Sequence, residues 1–206
     1  SGGQGGSAAS AAAGAGAVNA LLGSPLSATD LVAAAMEAEA VVAGRHADNV
    51  APSVLGGLVL VRSLDPLDLV RLPVPLGLVI VLVHPRMILT TAEGRAALPR
   101  EIPTATALHQ AAQVAALVAG AVTGDLRLLG RAIDDRIAEP VRAPLLPGFV
   151  EARRAALEAG SLGASISGSG PTAFAFTDDP DRARSIVSAM QQAYQRHGLA
   201  SDARIT

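Results

Sequence analysis

The chain has 206 residues, half of them apolar and 2% aromatic, with a formal net charge of −2 and no cysteine. That length and composition allow one large or two small domains with cores of Ala, Leu, Val and Ile, and exclude disulfides, thiolate zinc sites and cysteine nucleophiles. All 16 basic residues are Arg, which excludes a Walker A lysine, a pyridoxal Schiff base and a protein-kinase strand lysine, and with no basic block nucleic acid is not an expected partner.

In chain order, a glycine-rich loop over residues 1–6 runs into an Ala-rich stretch, Ser7 to Leu22, that reads as a helix stopped by Gly23 and Pro25. This stretch lacks the basic segment of a signal peptide and carries Asn19. Ser27 and Asp30 resemble a capping box for a helix over Ala28 to Val42. Gly44 to Pro52 reads as a loop and Gly57 to Arg62 as a strand. Leu64 to Pro75 holds three prolines and reads as an irregular crossover and a domain boundary. Leu76 to Val83 is a continuous apolar run, hence a buried strand. Thr90 to Leu98, Pro103 to Val122 and Asp125 to Ile137 read as helices, Pro140 to Pro147 as a loop, and Phe149 to Ala159 as a helix. Short strands at 164–167 and 172–176 flank Gly168-Ser169-Gly170-Pro171. Asp179 to His197 reads as a helix, and Ala203 to Thr206 as the start of a strand. No apolar run reaches the roughly 18 residues of a membrane span. Strands and helices alternate without a βαβ rhythm, so the expected class is α+β, with helices on one face of an antiparallel sheet.

Three segments carry candidate chemistry. The opening loop is the first: glycines let backbone N–H groups turn toward an anion, and the following helix adds its positive N-terminal end. The residues alone leave three readings open: a flexible terminus, a dinucleotide loop matching G-x-G-x-x-A over Gly3–Ala8, and a triphosphate loop in which Ser7 reaches a metal. Acidic residues at the spacing a dinucleotide site needs are lacking, since Asp30 sits at the start of the second helix. The second segment runs from Arg45 to Pro52, where His46, Asp48 and Asn49 crowd together; upstream, Glu37 and Glu39 lie on different helix faces, either able to offer a carboxylate to Mg²⁺. The third, Gly168 to Thr172, is an ordinary hairpin turn or a second glycine loop beside the first.

Together, Gly3 to Ala9, His46 to Pro52, Glu139-Pro140-Val141-Arg142 with Leu146 to Phe149, and Ser165 to Thr172 resemble the homoserine kinase family of the GHMP kinase superfamily, in order and over nearly the whole chain. Two departures stand out: Gln4 replaces the usual Leu, and Gly6 the usual first Ser. The resemblance implies a GHMP kinase fold, with 1–63 the remainder of the nucleotide-binding domain and 64–206 an α+β C-terminal domain. It implies transfer of the γ-phosphate of ATP to L-homoserine, with Mg²⁺. Gly2, Gly3, Gln4, Gly5, Gly6, Ser7, Ala8 and Ala9, with Gly168, Ser169 and Gly170, would bind phosphates. Ser7 and Glu39 would face the metal, with Glu37 as the fallback. His46, Asn49, Thr91, Arg95 and Arg142 would bind the amino acid, the two arginines clamping its carboxylate. No general base is assigned. The resemblance also implies a cytoplasmic enzyme with no membrane or nucleic-acid partner, from a family in which homodimers are common. With neither an initiator Met nor a strand before the loop, the chain reads as a piece of a longer protein, lacking an adenine pocket and inactive by itself.

Overall fold

Small side chains let the first two helices approach closely. α1 (Gly6–Leu21) is almost entirely Ala, Gly and Ser, and α2 (Ala28–Ala43) packs along it. The computed structural model describes residues 2–206, apart from the side chains at positions 42, 43, 91 and 92. The expected capping box is formed: Asp30 N–H donates to Ser27 Oγ at 3.2 Å, and Ser27 N–H donates to Asp30 Oδ2 at 3.4 Å. Where a loop was expected up to Pro52, a short helix α3 (Val50–Leu55) begins. Pro52 sits in its first turn, where an N–H would have no helical partner anyway.

The expected crossover at 64–75 is instead half of a hairpin. β1 (Leu58–Leu64) pairs antiparallel with β2 (Leu67–Leu72), Leu58 opposite Leu72 and Leu64 opposite Leu67. Pro66, Pro73 and Pro75 lie outside the paired residues, so none removes a ladder hydrogen bond. The hairpin backs a core of Ala8, Val32, Ala35, Val50 and Ala51 with Val59, Val61, Leu67 and Leu69. These elements make one compact unit, Gly5–Val74. An expected boundary at 63/64 would cut the hairpin; the division falls at Val74/Pro75, because β2 goes where its partner strand is.

The second unit comprises Ser1–Gln4 and Pro75–Thr206. Its first strand, β3 (Val79–Pro85), starts later than expected, because residues 75–78 form a turn in which Leu78 N–H donates to Pro75 O. Leu76, expected in the buried strand, is 97% exposed. Helices α4 (Thr91–Ala96) and α5 (Thr104–Thr123) follow. α6 (Leu126–Arg131) stops short of the expected Ile137. The Asp135 carboxylate there takes the N–H groups of Ile137, Ala138 and Glu139, at 2.8–3.1 Å, and so starts a new turn. That turn is α7 (Glu139–Arg142), continued by a 3-10 turn at Ala143–Leu145, where a loop was expected; Pro140 and Pro144 occupy first-turn positions.

α8 (Phe149–Glu158), β4 (Gly163–Ile166), β5 (Ala173–Thr177), α9 (Pro180–Arg196) and β6 (Ser201–Ile205) complete the unit. The sheet order is β4-β5-β3-β6, every pair antiparallel. α8 and α9 cover one face, with Val81, Val83, Phe149, Ile186, Met190 and Tyr194 in the core between. Phe174 and Phe176 point from the other face, their rings 5.0 Å apart. One sequence expectation fails on length and composition: α5, with a mean hydropathy of 1.3, is long and apolar enough to cross a membrane, and 11% of it is buried here.

Candidate phosphate and substrate site

In the helical unit the site is built at the start of α1. Gly5 is its N-cap, in the left-handed region at φ 63°, and no described side chain caps the helix. No acidic residue occupies its first turn. The free N–H groups of that turn therefore face outward with the positive end of a 16-residue helix behind them. Asn49 packs on this corner: a Cβ at Gly5 would lie 3.0 Å from Asn49 Oδ1. Asn49 N–H donates to the Asp48 carboxylate at 3.1 Å, and His46 is half-buried nearby in sequence.

Ser7 Oγ donates to Glu39 Oε1 at 2.8 Å. Glu39 is 7% exposed, and its Oε2 has no hydrogen-bond partner. A buried carboxylate oxygen without a partner is costly unless something else neutralises it. Glu37 lies on the other side of α2, exposed and paired with Arg45 at 3.3 Å. Among the described residues no cluster of three or more His, Cys, Asp or Glu could hold a metal alone. A lone carboxylate with a neighbouring hydroxyl would suit only a cation that takes most of its ligands from elsewhere.

In the sheet unit, residues 2–4 lie along the β4–β5 loop. Ser167 Oγ donates to Gly3 O, and Thr172 Oγ1 donates to Gly2 O at 2.7 Å. The contact is tight enough to require glycine: a Cβ on Gly3, at φ 76°, would fall 2.4 Å from Ser167 O. Gly168, Ser169 and Gly170 form the turn between these two hydroxyls, closed by Gly170 N–H donating to Ser167 O at 3.0 Å.

Arg142, expected as a carboxylate clamp, is first of all a brace. Its Nε donates to Gly94 O and its Nη1 to Gly168 O, both at 2.9 Å, tying α4 to the glycine turn. Burial holds its pKa below the ordinary arginine value, with Asp135 opposing that shift and Arg95 adding to it. Arg95 is thus a charged neighbour of Arg142. The side chain of Thr91 lies outside the described residues.

Sequence reading missed the residues that hold this constellation together. Glu139 accepts from Ser165 Oγ on β4 and pairs with Arg153 of α8 at 3.2 Å; burial raises its pKa, which Ser165 and Arg153 partly offset. Glu139, Ser165, Ser167 and Thr172 stood inside the motifs that carry the resemblance, but none of them was given a role of its own. His84, 2.9 Å from Thr172 Oγ1, carried no sequence signal beyond ending an apolar strand.

Comparison with known proteins identifies the architecture that carries these residues. The family model described as GHMP kinases N terminal domain matches residues 1–57, and that described as GHMP kinases C terminal matches 113–196. The homoserine kinase of Chloroherpeton thalassium is 49% identical over 98% of this chain, and that of Arabidopsis thaliana 48% over 88%. The chain spans 64% and 50% of their respective lengths. A crystal structure of homoserine kinase from Cytophaga hutchinsonii superposes with a TM-score of 0.91 at 44% identity, covering 95% of this chain and 62% of that one. Leishmania major mevalonate kinase, at 17% identity and a TM-score of 0.73, shares the fold. With both halves of one kinase architecture matched in order, the chain belongs to the GHMP kinase family.

Proposed function

We propose that the protein to which this chain belongs transfers the γ-phosphate of ATP to the side-chain hydroxyl of L-homoserine, giving O-phospho-L-homoserine and ADP. The observation that carries this reading is the near-half identity to homoserine kinases along almost the whole chain. In the reaction the homoserine oxygen bonds to the γ-phosphorus, the bond to the β,γ-bridging oxygen breaks, and the hydroxyl proton is released. Such a transfer is promoted chiefly by positioning and charge neutralisation.

The residues fit those tasks. The uncapped first turn of α1, from Gly6 to Ala8, supplies N–H donors suited to phosphate oxygens, while the Ala9 N–H already donates to Gly5 O. Gly2 to Gln4 and the turn Gly168 to Gly170 supply a second backbone surface of the same kind. Ser7 and Glu39 would hold Mg²⁺, which when bound offsets triphosphate charge; the unpartnered Glu39 Oε2 is the observation that fits it. Asn49 and His46 would meet the amino-acid end of the substrate, and Arg142 with Arg95 its carboxylate, since Arg142 spends only its Nε and one Nη on backbone carbonyls. The helical unit would belong to the nucleotide-binding domain and the sheet unit to the C-terminal domain. A cytoplasmic location goes with this metabolic role.

The test is a panel of small alcohols offered with Mg·ATP to the full-length parent, following ADP release. Homoserine is expected to give the highest kcat/KM. A different preferred alcohol would make this another small-molecule GHMP kinase. NAD(P) binding without phosphoryl transfer would overturn the kinase reading.

A further inference from the structure

Thr172 is completely buried, and three polar groups converge on its hydroxyl. Gly2 O lies 2.7 Å from Oγ1, His84 Nδ1 2.9 Å and Gln4 Nε2 3.3 Å. A threonine hydroxyl has one hydrogen to give and two lone pairs with which to accept. A carbonyl can only accept, so the single hydrogen goes to Gly2 O. Gln4 Nε2 is a donor and takes one lone pair. The other is left for His84, whose Nδ1 must therefore carry a hydrogen and donate it. The inventory closes with every group satisfied, and it fixes the neutral His84 ring in its Nδ1–H form.

His84 is placed there by sheet register. Val83 pairs with Ala173 across β3 and β5, so the next step along the ladder brings His84 beside Thr172. On its other side His84 pairs with Asp202 of β6, whose carboxylate is engaged by Arg86 at 3.0 Å. The backbone at His84 is therefore held in the sheet beside β6, one step beyond its pairing with β5. Thr172 is the last residue before β5 and Gly2 has no secondary structure of its own beyond a turn. Rigidity runs from the sheet to the loop.

We propose that His84 and Gln4 are positioning residues for the phosphate loop: they orient the Thr172 hydroxyl, which anchors the Gly2 carbonyl and so sets the direction of the Gly3 and Gln4 N–H groups. This rests on the reading of Gly2–Ala9 as a phosphate-binding loop. It gives the Gln4 amide a purpose that an apolar side chain cannot serve.

Three measurements on the full-length protein test the proposal. Long-range proton–nitrogen correlation spectra of the histidine rings should find neutral His84 protonated on Nδ1; the Nε2–H form would overturn the arrangement. Amide hydrogen exchange, without nucleotide, should quicken in residues 2–5 of Thr172→Val and recover in Thr172→Ser, while exchange in α8 and α9 stays as in the wild type. No change in the loop, or a change spread over the whole sheet unit, would overturn it. In steady-state assays Thr172→Val should raise the KM for ATP about tenfold or more, the effect of a lost buried hydrogen bond, leaving the KM for homoserine within about twofold. His84→Leu should act in the same direction and His84→Asn, whose amide can replace the Nδ1 donor, should recover most of the loss; Gln4→Leu should be milder, near threefold. Should Thr172→Val fail to fold, the His84 pair carries the comparison. Equal rises in both KM values, or no rescue by asparagine or serine, would overturn the proposal. A loop that responds as expected in a protein that binds no ATP would leave this anchoring standing and remove the kinase reading.

Discussion

Ser7 and Glu39, 32 residues apart in sequence, meet at 2.8 Å, and the bond leaves the second oxygen of Glu39 buried without a partner. A folded chain tolerates such a group where function needs it, and a neutral amide in its place relieves the cost of burying the charge. Glu39→Gln is therefore expected to lower kcat/KM on the order of a hundredfold, to weaken the dependence on Mg²⁺, and to leave the thermal midpoint unchanged or higher. Measurement of initial rates across a Mg²⁺ titration, beside a melting curve, checks this. Glu37→Gln, on the exposed side of the helix, should do none of these things.

Arg142 reaches two backbone carbonyls at once, Gly94 O and Gly168 O. A lysine has one compact ammonium and cannot span both while also facing a carboxylate. Each charge-assisted bond is worth about 1.5–3 kcal/mol. Arg142→Lys should thus raise the KM for homoserine about tenfold or more, close to the effect of Arg142→Ala, and both should shift the resonances of residues 94 and 168. Unchanged affinity for homoserine would separate the brace from any substrate contact.

Gly3 has no room for a side chain, since an added Cβ would sit 2.4 Å from Ser167 O in a left-handed backbone. Gly3→Ala should destabilise the loop's seat by about 1–3 kcal/mol. The expected result is faster hydrogen exchange in residues 2–5 and weaker nucleotide binding, seen by calorimetry, with the α1–α2 unit melting as before. Gly14→Ala, in α1 with open space around it, is the control.

Glu139 supplies a pH dependence. Burial raises its pKa above the ordinary carboxylate value, more than Ser165 and Arg153 lower it. The folded chain therefore binds a proton more readily than the unfolded chain does. Its stabilising contribution is fully present below the unfolded value of 4.5 and is lost as pH rises through the higher folded value. Glu139→Gln removes this titration. The stability difference between variant and wild type should move in the variant's favour as pH rises from 4.5 through the higher folded value, measured by urea unfolding across a pH series. A difference independent of pH would show that Glu139 does not titrate with a raised pKa.

Much of the element order could be read from local pattern. Helices with caps and stops were legible, because Ser27 and Asp30 interact across three residues and need no distant partner. Elements whose existence depends on a partner were harder. β2 lies between prolines and becomes a strand only because β1 is there to pair with it. α7 forms where Pro140 suggested a loop, because Asp135 caps it from outside. The candidate site divides in the same way: the glycine loops were visible as motifs, whereas His84 joins them through a strand register that no local spacing encodes.

By itself the sequence determined what chemistry was open to this protein. Having neither lysine nor cysteine, this chain is left with backbone N–H groups, arginines, imidazoles, hydroxyls and carboxylates, arranged in motifs of one kinase family. Tertiary structure decided which of those groups come together. Glu37 and Glu39 are two residues apart on one helix and so point about 200° apart around its axis. They are the same residue type in nearly the same local sequence. Packing of α2 against α1 buries Glu39 beside Ser7 and leaves Glu37 to water and Arg45. That choice is made by the face a neighbouring helix covers, which only the folded chain specifies.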